Sequence, residues 1–140
     1  MALFPRLVDA ELSELAVALP NGAAAVYEDF DLGAINATLG VMAAEFDIEV
    51  VFPTLALAHL ANTETIIASA TCDSDVAFGS PRNLNSNFLI VTGATGTDPA
   101  LSVNARFRVP MNCERYLRIT FTKTGAGNCS TDLATIKFMF

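Results

Sequence analysis

The 140-residue chain has no tryptophan, one histidine and only two tyrosines, although it contains ten phenylalanines. A single histidine cannot form a histidine metal cluster. A Ser–His–Asp or Cys–His arrangement would have to include His59. His59 stands in the apolar segment 55–60, where a packed structural histidine is expected. The phenylalanines suit a sandwich interior, whereas sugar-binding surfaces favour tryptophan and tyrosine.

Two weaker ligand-binding patterns are also incomplete. Asp73 and Asp75 alternate as acids do in calcium loops, but two oxygen donors are too few to hold the ion. The glycine pairs within 93–96 and 125–127 lack the Lys-Ser/Thr sequence and the following helix of a phosphate-binding loop. The sequence therefore predicts no catalytic residue, cofactor or metal site, and it favours a structural or binding protein over an enzyme.

Long apolar runs are missing, although 52% of the residues are hydrophobic. No stretch approaches the roughly 18 to 20 apolar residues of a membrane-spanning helix. Charged residues from Arg6 onward interrupt the N-terminal segment, so we expect no signal peptide, no membrane partner and a reducing cytoplasm. The cysteines Cys72, Cys113 and Cys129 are odd in number and match no zinc or redox spacing, so they are expected to be free and buried.

Charged residues are few and unevenly distributed. They make up 16% of the chain, and the net charge of −7 argues against nucleic-acid binding. Residues 1–80 hold twelve acids and one base, whereas residues 81–140 hold seven bases and three acids. Such asymmetry would steer subunits into head-to-tail contact if the halves formed separate faces. Alternatively, both halves share both sheets and the charges intermix on folding.

Apolar and polar residues alternate with a period of two through most of the chain. In the clearest segment Leu117, Ile119 and Phe121 share one face, which predicts a strand with one buried side. Strands are predicted at 25–32, 45–52, 64–72, 88–92, 103–109, 115–123 and 134–140, with an eighth at 35–42 or 54–60. Residues 73–87 are expected to form a surface loop from which Phe78 returns to the core.

Seven or eight short strands predict an all-β fold, an antiparallel β-sandwich or jelly roll over residues 25–140. Residues 1–24 differ, because Leu12, Leu15 and Leu19 recur at helical spacing. They predict a short helix or an extended arm. Its apolar stripe either packs on its own sandwich or reaches a neighbouring subunit, and these leucines are then interface residues.

Four arginines are further candidates for an interface. Arg106 and Arg108 share one face of the strand 103–109, and Arg118 lies on the polar face of the next strand, with Arg115 at its start. If those strands pair, four guanidinium groups come together and need carboxylates from this copy or another. Alternatively, they are screened surface charges that contribute little individually.

Four short segments of the sequence resemble one known family. They are Asp31-Leu32-Gly33, the segment 72–78 (Cys-Asp-Ser-Asp-Val-Ala-Phe), the segment 106–110 (Arg-Phe-Arg-Val-Pro) and the segment 115–122 (Arg-Tyr-Leu-Arg-Ile-Thr-Phe-Thr). With the glycine-bearing turn and apolar final strand that follow, the chain from Tyr27 onward resembles the small jelly-roll cement, or decoration, proteins of tailed bacteriophage capsids.

The resemblance implies a homotrimer on the outer surface of an icosahedral shell, bound where major capsid proteins meet. It implies no cofactor and no catalytic residue. The protein would be made in the host cytoplasm and reside in the virion. Two alternatives remain open: another virion component of the tail, neck or fibre, and a jelly-roll module that binds carbohydrate or another ligand.

Overall fold

The computed structural model describes residues 14–32, 46–110 and 113–139. The strands of this part of the chain are β1 (Glu14–Ala18), β2 (Ala25–Asp31), β3 (Phe46–Phe52), β4 (Thr65–Asp73), β5 (Arg82–Thr92), β6 (Val103–Val109), β7 (Tyr116–Lys123) and β8 (Leu133–Met139). A helix long and apolar enough to cross a bilayer does not occur in it.

The strands form two four-stranded antiparallel sheets. The first sheet has the order β1-β8-β3-β6 and the second sheet has the order β2-β7-β4-β5. The pairs β1–β8, β2–β7 and β3–β6 are nested around the β4–β5 hairpin, so the first half of the chain pairs with the second half in reverse order. This strand order is that of an eight-stranded jelly roll, and the predicted all-β sandwich is confirmed.

The core lies between the two sheets and is filled by alternate residues of their strands. Ile48 and Val50 of β3 face Ile119 and Phe121 of β7 from the opposite sheet, and all four are fully buried. The rings of Phe52 and Phe121 meet across the core at a centroid distance of 5.5 Å. Because each such side chain contributes about 1.5–3 kcal/mol when fully buried, the predicted apolar faces account for the packing of the sheets.

Phenylalanine pairs close the two open sides of the sandwich. On one side Phe30 of β2 meets Phe138 of β8 edge-on, with ring centroids 4.8 Å apart. On the other side Phe88 of β5 stacks on Phe107 of β6, with centroids 5.5 Å apart. Each pair joins an edge strand of the second sheet to the first sheet, which explains part of the high phenylalanine content.

Of the two structures predicted for the N-terminal segment, a short helix or an extended arm, residues 14–18 adopt the extended one. Residues 14–18 form strand β1, which pairs with β8 in the first sheet and so belongs to the sandwich, although the sequence set residues 1–24 apart. Leucines at 15 and 19 satisfy a strand period as well as a helical one, and the backbone groups along the edge of β8 favour the strand. Leu12 lies outside the described residues.

Two further boundaries differ from prediction. The segment 54–60 forms turns rather than an eighth strand, and 35–42 lies outside the described residues. Strand β5 begins at Arg82 instead of residue 88, although its first half is rich in asparagine. Register shifts near Ala70 of β4 accommodate this polar half, so pairing rather than composition decides its structure.

Candidate interaction surfaces

The four candidate arginines lie on opposite sides of the sandwich. Arg106 and Arg108 are on β6 in the first sheet, whereas Arg118 is on β7 in the second sheet and Arg115 precedes it. The two strands do not pair, so the condition under which the four guanidinium groups would come together is not met. The chain crosses from one sheet to the other between β6 and β7, and the local pattern of two strands does not reveal such a crossover.

On the outer face of the first sheet, the arginines of β6 face acids of β3. The Nε of Arg108 donates to Oδ1 of Asp47 at 2.7 Å, and the Nε of Arg106 lies 3.6 Å from Oε1 of Glu49. Both pairs are register partners in the β3–β6 ladder. The hydrogen bond from Arg108 holds the pKa of Asp47 below its ordinary value. Because the Arg108 side chain is 62% exposed, solvent screens this pair.

Arg118 on the second sheet is held more completely. Its Nε and Nη2 donate to the two carboxylate oxygens of Asp29 at 2.7 and 2.8 Å. Its guanidinium carbon lies 3.8 Å from the ring centroid of Tyr27 and 4.0 Å from that of Phe78. The guanidinium is therefore sandwiched between two aromatic rings, and Asp29 raises its pKa. We call Tyr27, Asp29, Phe78 and Arg118 the Arg118 cluster.

Phe78 reaches this cluster from the β4–β5 loop. It is buried, but it covers Arg118 on the outside of the second sheet, so the prediction that it returns to the core is wrong. Its φ of 51° is a strained backbone conformation, which the loop must hold. The carboxylate of Asp73 contributes by accepting the backbone N–H groups of Asp75 at 3.0 Å and Ser80 at 2.9 Å, and these bonds lower its pKa.

A second aromatic and charged group lies on the same face. Arg115 donates from Nε and Nη2 to the two carboxylate oxygens of Asp31 at 2.8 and 2.9 Å, and its guanidinium carbon is 5.0 Å from the Tyr116 ring centroid. The two tyrosines of the chain therefore share the outer face of β2 and β7. The charges on this face are neutralised in pairs, whereas the Tyr27 side is open to solvent, with 54% of that residue exposed.

The predicted leucine stripe divides between core and surface. Leu19 is buried in the core, and its backbone N–H donates to the carbonyl oxygen of Asp132 at 3.0 Å. It is therefore unavailable to a second subunit. Leu15 is exposed on the edge strand β1, so it keeps the accessibility that an interface residue needs.

A polar network joins the β3–β4 and β7–β8 loops at one end of the sandwich, and sequence reasoning did not predict it. The Lys123 side chain is 0% exposed, and its ammonium donates to Oε2 of Glu64 at 2.9 Å and to the carbonyl oxygens of Thr124 and Gly125. Glu64 also accepts two backbone N–H groups, and the Lys123 hydrogen bond lowers its pKa. The ammonium thus uses all three of its donors, which indicates a structural role.

His59 clips the same two loops together. Its Nδ1 lies 2.7 Å from Oδ2 of Asp132, and its carbonyl oxygen accepts the Sγ–H of Cys129 at 3.2 Å. Burial raises the pKa of the Cys129 thiol, which makes it a poor nucleophile. All three cysteines are free and buried, as predicted. In residues 14–32, 46–110 and 113–139, no group of three or more histidine, cysteine or acidic side chains is placed to bind a metal ion.

Ion pairs within one copy take up much of the charge asymmetry. In the described ranges, the bases that contact an acid of the same chain include Arg82, Arg106, Arg108, Arg115, Arg118 and Lys123. In five of these six pairs the acid belongs to the acid-rich first half of the sequence. The structure therefore supports the interpretation in which the charges intermix on folding.

No protein-family model matches the sequence, and no curated protein is significantly similar to it. The function is therefore inferred from the fold, the surfaces and the motifs described above.

Proposed function

We propose that this protein is a structural virion protein, a cement or decoration protein that binds the outer capsid surface as a homotrimer and stabilises the shell. The jelly-roll strand order is the observation that carries the proposal. It agrees with the architecture implied by the motifs at 31–33, 72–78, 106–110 and 115–122. Jelly rolls occur in viral capsid proteins, lectins and cupins, so surface chemistry must separate these classes.

A body that reinforces a joint between subunits has to be stiff. Phenylalanine pairs close both sides of this sandwich, and the contacts Lys123–Glu64 and His59–Asp132 join the loops at one end. A protein that binds the assembled shell and not its free subunits stabilises the assembly by mass action. At a free concentration one hundred times Kd, this stabilisation is about 2.7 kcal/mol per site.

Binding to a shell tests the proposal directly. The purified protein is mixed with capsids assembled from the major capsid protein of the same virus, and co-sedimentation and the temperature of shell disruption are measured. We expect saturable binding, a higher disruption temperature, and a solution mass three times the 14.8 kDa of one chain. A strict monomer at tens of micromolar that neither sediments with shells nor protects them contradicts the proposal. Locating the chain in an intact particle separates a cement protein from a tail, neck or fibre component.

A carbohydrate-binding module is the second candidate, and the exposed ring of Tyr27 beside the neutral Asp29–Arg118 pair favours it. Aromatic rings next to paired hydrogen-bonding groups suit a neutral sugar. Because the chain has no tryptophan, its fluorescence comes from Tyr27 and Tyr116 and reports on this face directly. A saturable fluorescence change with a neutral oligosaccharide, lost in Tyr27→Leu but kept in Tyr116→Leu, supports this candidate. No change across a panel of neutral oligosaccharides contradicts it.

A further inference from the structure

We propose that the outer face of the first sheet is a self-docking surface, on which two copies of the chain pack face to face about a two-fold axis parallel to the strands. The contact is additional to the trimer contact proposed above and does not depend on shell binding. Its basis is a row of alternating charges that crosses the centre of the sheet beside a row of small and apolar residues.

The charged row spans all four strands of the sheet. Glu14 of β1 is the register partner of Lys137 of β8. Lys137 is also the register partner of Glu49 of β3, and Glu49 is the register partner of Arg106 of β6. The order across the sheet is therefore negative, positive, negative, positive. The Arg106 side chain is 60% exposed, and a guanidinium group has five N–H donors, so it retains donors for a second molecule. The Glu49 side chain is 14% exposed and already accepts from Nδ2 of Asn104 at 3.2 Å, so a second copy reaches it only through that exposed part.

The order of charges selects one symmetry axis. A two-fold axis parallel to the strands exchanges the two central strands, so β8 of one copy lies over β3 of the other. Lys137 then faces Glu49 of the second copy, and the symmetry repeats this contact. A two-fold axis perpendicular to the strands would instead place Lys137 over Lys137 and Glu49 over Glu49, and like charges facing each other are unfavourable.

The next row of residues along the strands has small side chains, so the sheets of two copies can come close together there. Ala16, Thr135 and Val51 are register partners across β1, β8 and β3, and Leu133 is exposed on the same face. Under the proposed axis Val51 lies over Thr135 of the second copy, where two small side chains meet.

Net charge also favours this face. The register places three bases and three acids on it, so the face is formally neutral: Arg106, Arg108, Lys137, Glu14, Asp47 and Glu49. The whole chain carries −7, so two copies repel each other over most orientations. They repel less where this face meets itself.

The size of the face predicts a weak contact. Four strands about 4.8 Å apart and roughly 20 Å long cover on the order of 400 Å² in projection. A stable interface buries about 800 Å² on each partner. We therefore expect association only at high protein concentration, and weaker association at high salt because the contacts are charged.

Sedimentation equilibrium over a wide concentration range tests the proposal. The wild-type mass is expected to rise with concentration at low salt and to rise less at high salt. Glu49→Lys and Lys137→Glu should each weaken the association by about tenfold or more, since each places like charges in contact. The double variant Glu49→Lys/Lys137→Glu should regain it. A mixture of the double variant with wild type should form no mixed species. Thr122→Lys, which adds a base to the second sheet, is the matched control and should associate like wild type.

Several results would overturn the proposal. The proposal is wrong if the wild-type mass does not change with concentration, or if both single variants associate like the wild type. It is also wrong if the double variant unfolds at the wild-type urea midpoint and yet fails to associate. If the charge variants do not fold, Val51→Asp places a charge in the small row, and association equal to wild type then rejects the surface. Shell binding is measured separately on each variant, so the two proposals succeed or fail independently.

Discussion

Arg118 binds both carboxylate oxygens of Asp29, and the two residues stand directly opposite each other in the β2–β7 register. One belongs to the acid-rich first half of the sequence and the other to the base-rich second half. Arg108 and Asp47 show the same relationship across β3 and β6. Because the jelly roll pairs early strands with late strands in reverse order, the charge asymmetry of the sequence becomes a set of cross-strand pairs within one copy.

The two arginines should differ in their contribution to stability. Arg118→Gln is expected to lower the free energy of unfolding by about 2 kcal/mol, because it removes a bidentate pair and a guanidinium held between two rings. Arg108→Gln should cost about 0.5 kcal/mol or less, since its pair is exposed and screened. Urea unfolding of both variants measures the difference. Equal losses would show that the aromatic rings around Arg118 contribute nothing.

In the buried Lys123–Glu64 ion pair, replacing Glu64 should lower the free energy of unfolding more than replacing Lys123 does. Glu64→Gln leaves the Lys123 ammonium buried without a counter-charge, and we expect a loss of about 3 kcal/mol or more. Lys123→Met should cost less, because Glu64 keeps two backbone N–H donors and is partly exposed. Chemical unfolding at neutral pH tests the order. A larger loss in Lys123→Met contradicts this account.

Acid is expected to destabilise the fold below about pH 4.5. The pKa values of Asp47, Glu64 and Asp73 lie below their ordinary values of 3.8, 4.5 and 3.8, owing to bonds from Arg108, from Lys123 and from backbone N–H groups. A carboxyl whose pKa falls on folding stabilises the protein above its unfolded pKa. That contribution is lost as the pH falls through the folded value. The free energy of unfolding, measured with urea at several pH values, should therefore decrease as the pH is lowered below about 4.5.

Asp73→Asn provides the control for this pH dependence. It removes one of the three titrating groups, so the variant should be less stable at neutral pH and should lose less stability on acidification. A pH profile parallel to that of the wild type would show that Asp73 does not contribute.

Gly93 and Gly79 should respond differently to replacement by alanine. A Cβ at Gly93 would lie 1.9 Å from the carbonyl oxygen of Ala61, so the backbone between the β3–β4 loop and β5 would have to move. We expect Gly93→Ala to cost about 2–3 kcal/mol. Gly79→Ala meets no atom within 4 Å and should be close to neutral. Thermal or urea unfolding of the two variants measures this difference. Equal stability would contradict the close contact between Gly93 and the Ala61 carbonyl.

The buried thiols should be unreactive in the folded protein. Burial and the neighbouring Cys72 thiol raise the pKa of Cys113 to about 12. Such a thiol stays protonated at pH 8, and the thiolate is the reactive form. Ellman's reagent should therefore label native protein slowly and all three cysteines after unfolding in guanidinium. Ser130→Cys, at an exposed position, is the positive control, and native wild type reacting as fast as this variant contradicts the assignment.

Local sequence pattern was sufficient for the strands in which apolar and polar residues alternate clearly, and for their buried faces. The alternation in β3, β6 and β7 predicted which side chains enter the core, because successive residues of any strand point to opposite sides. The odd, unpatterned cysteines were likewise predicted to be free. The segment 14–18 was ambiguous, since Leu15 and the following Leu19 fit two periods, and only pairing with β8 made it a strand.

The sequence alone determined an all-β chain with apolar and polar strand faces and an acid-rich half followed by a base-rich half. Only the tertiary structure decided which strands pair, and therefore that Arg106 and Arg108 lie on one side while Arg115 and Arg118 lie on the other. It also brought Phe78 onto Arg118 and Lys123 onto Glu64, residues far apart in the chain. Side-chain alternation is a property of the local backbone, whereas these contacts depend on crossovers between sheets that no short segment encodes.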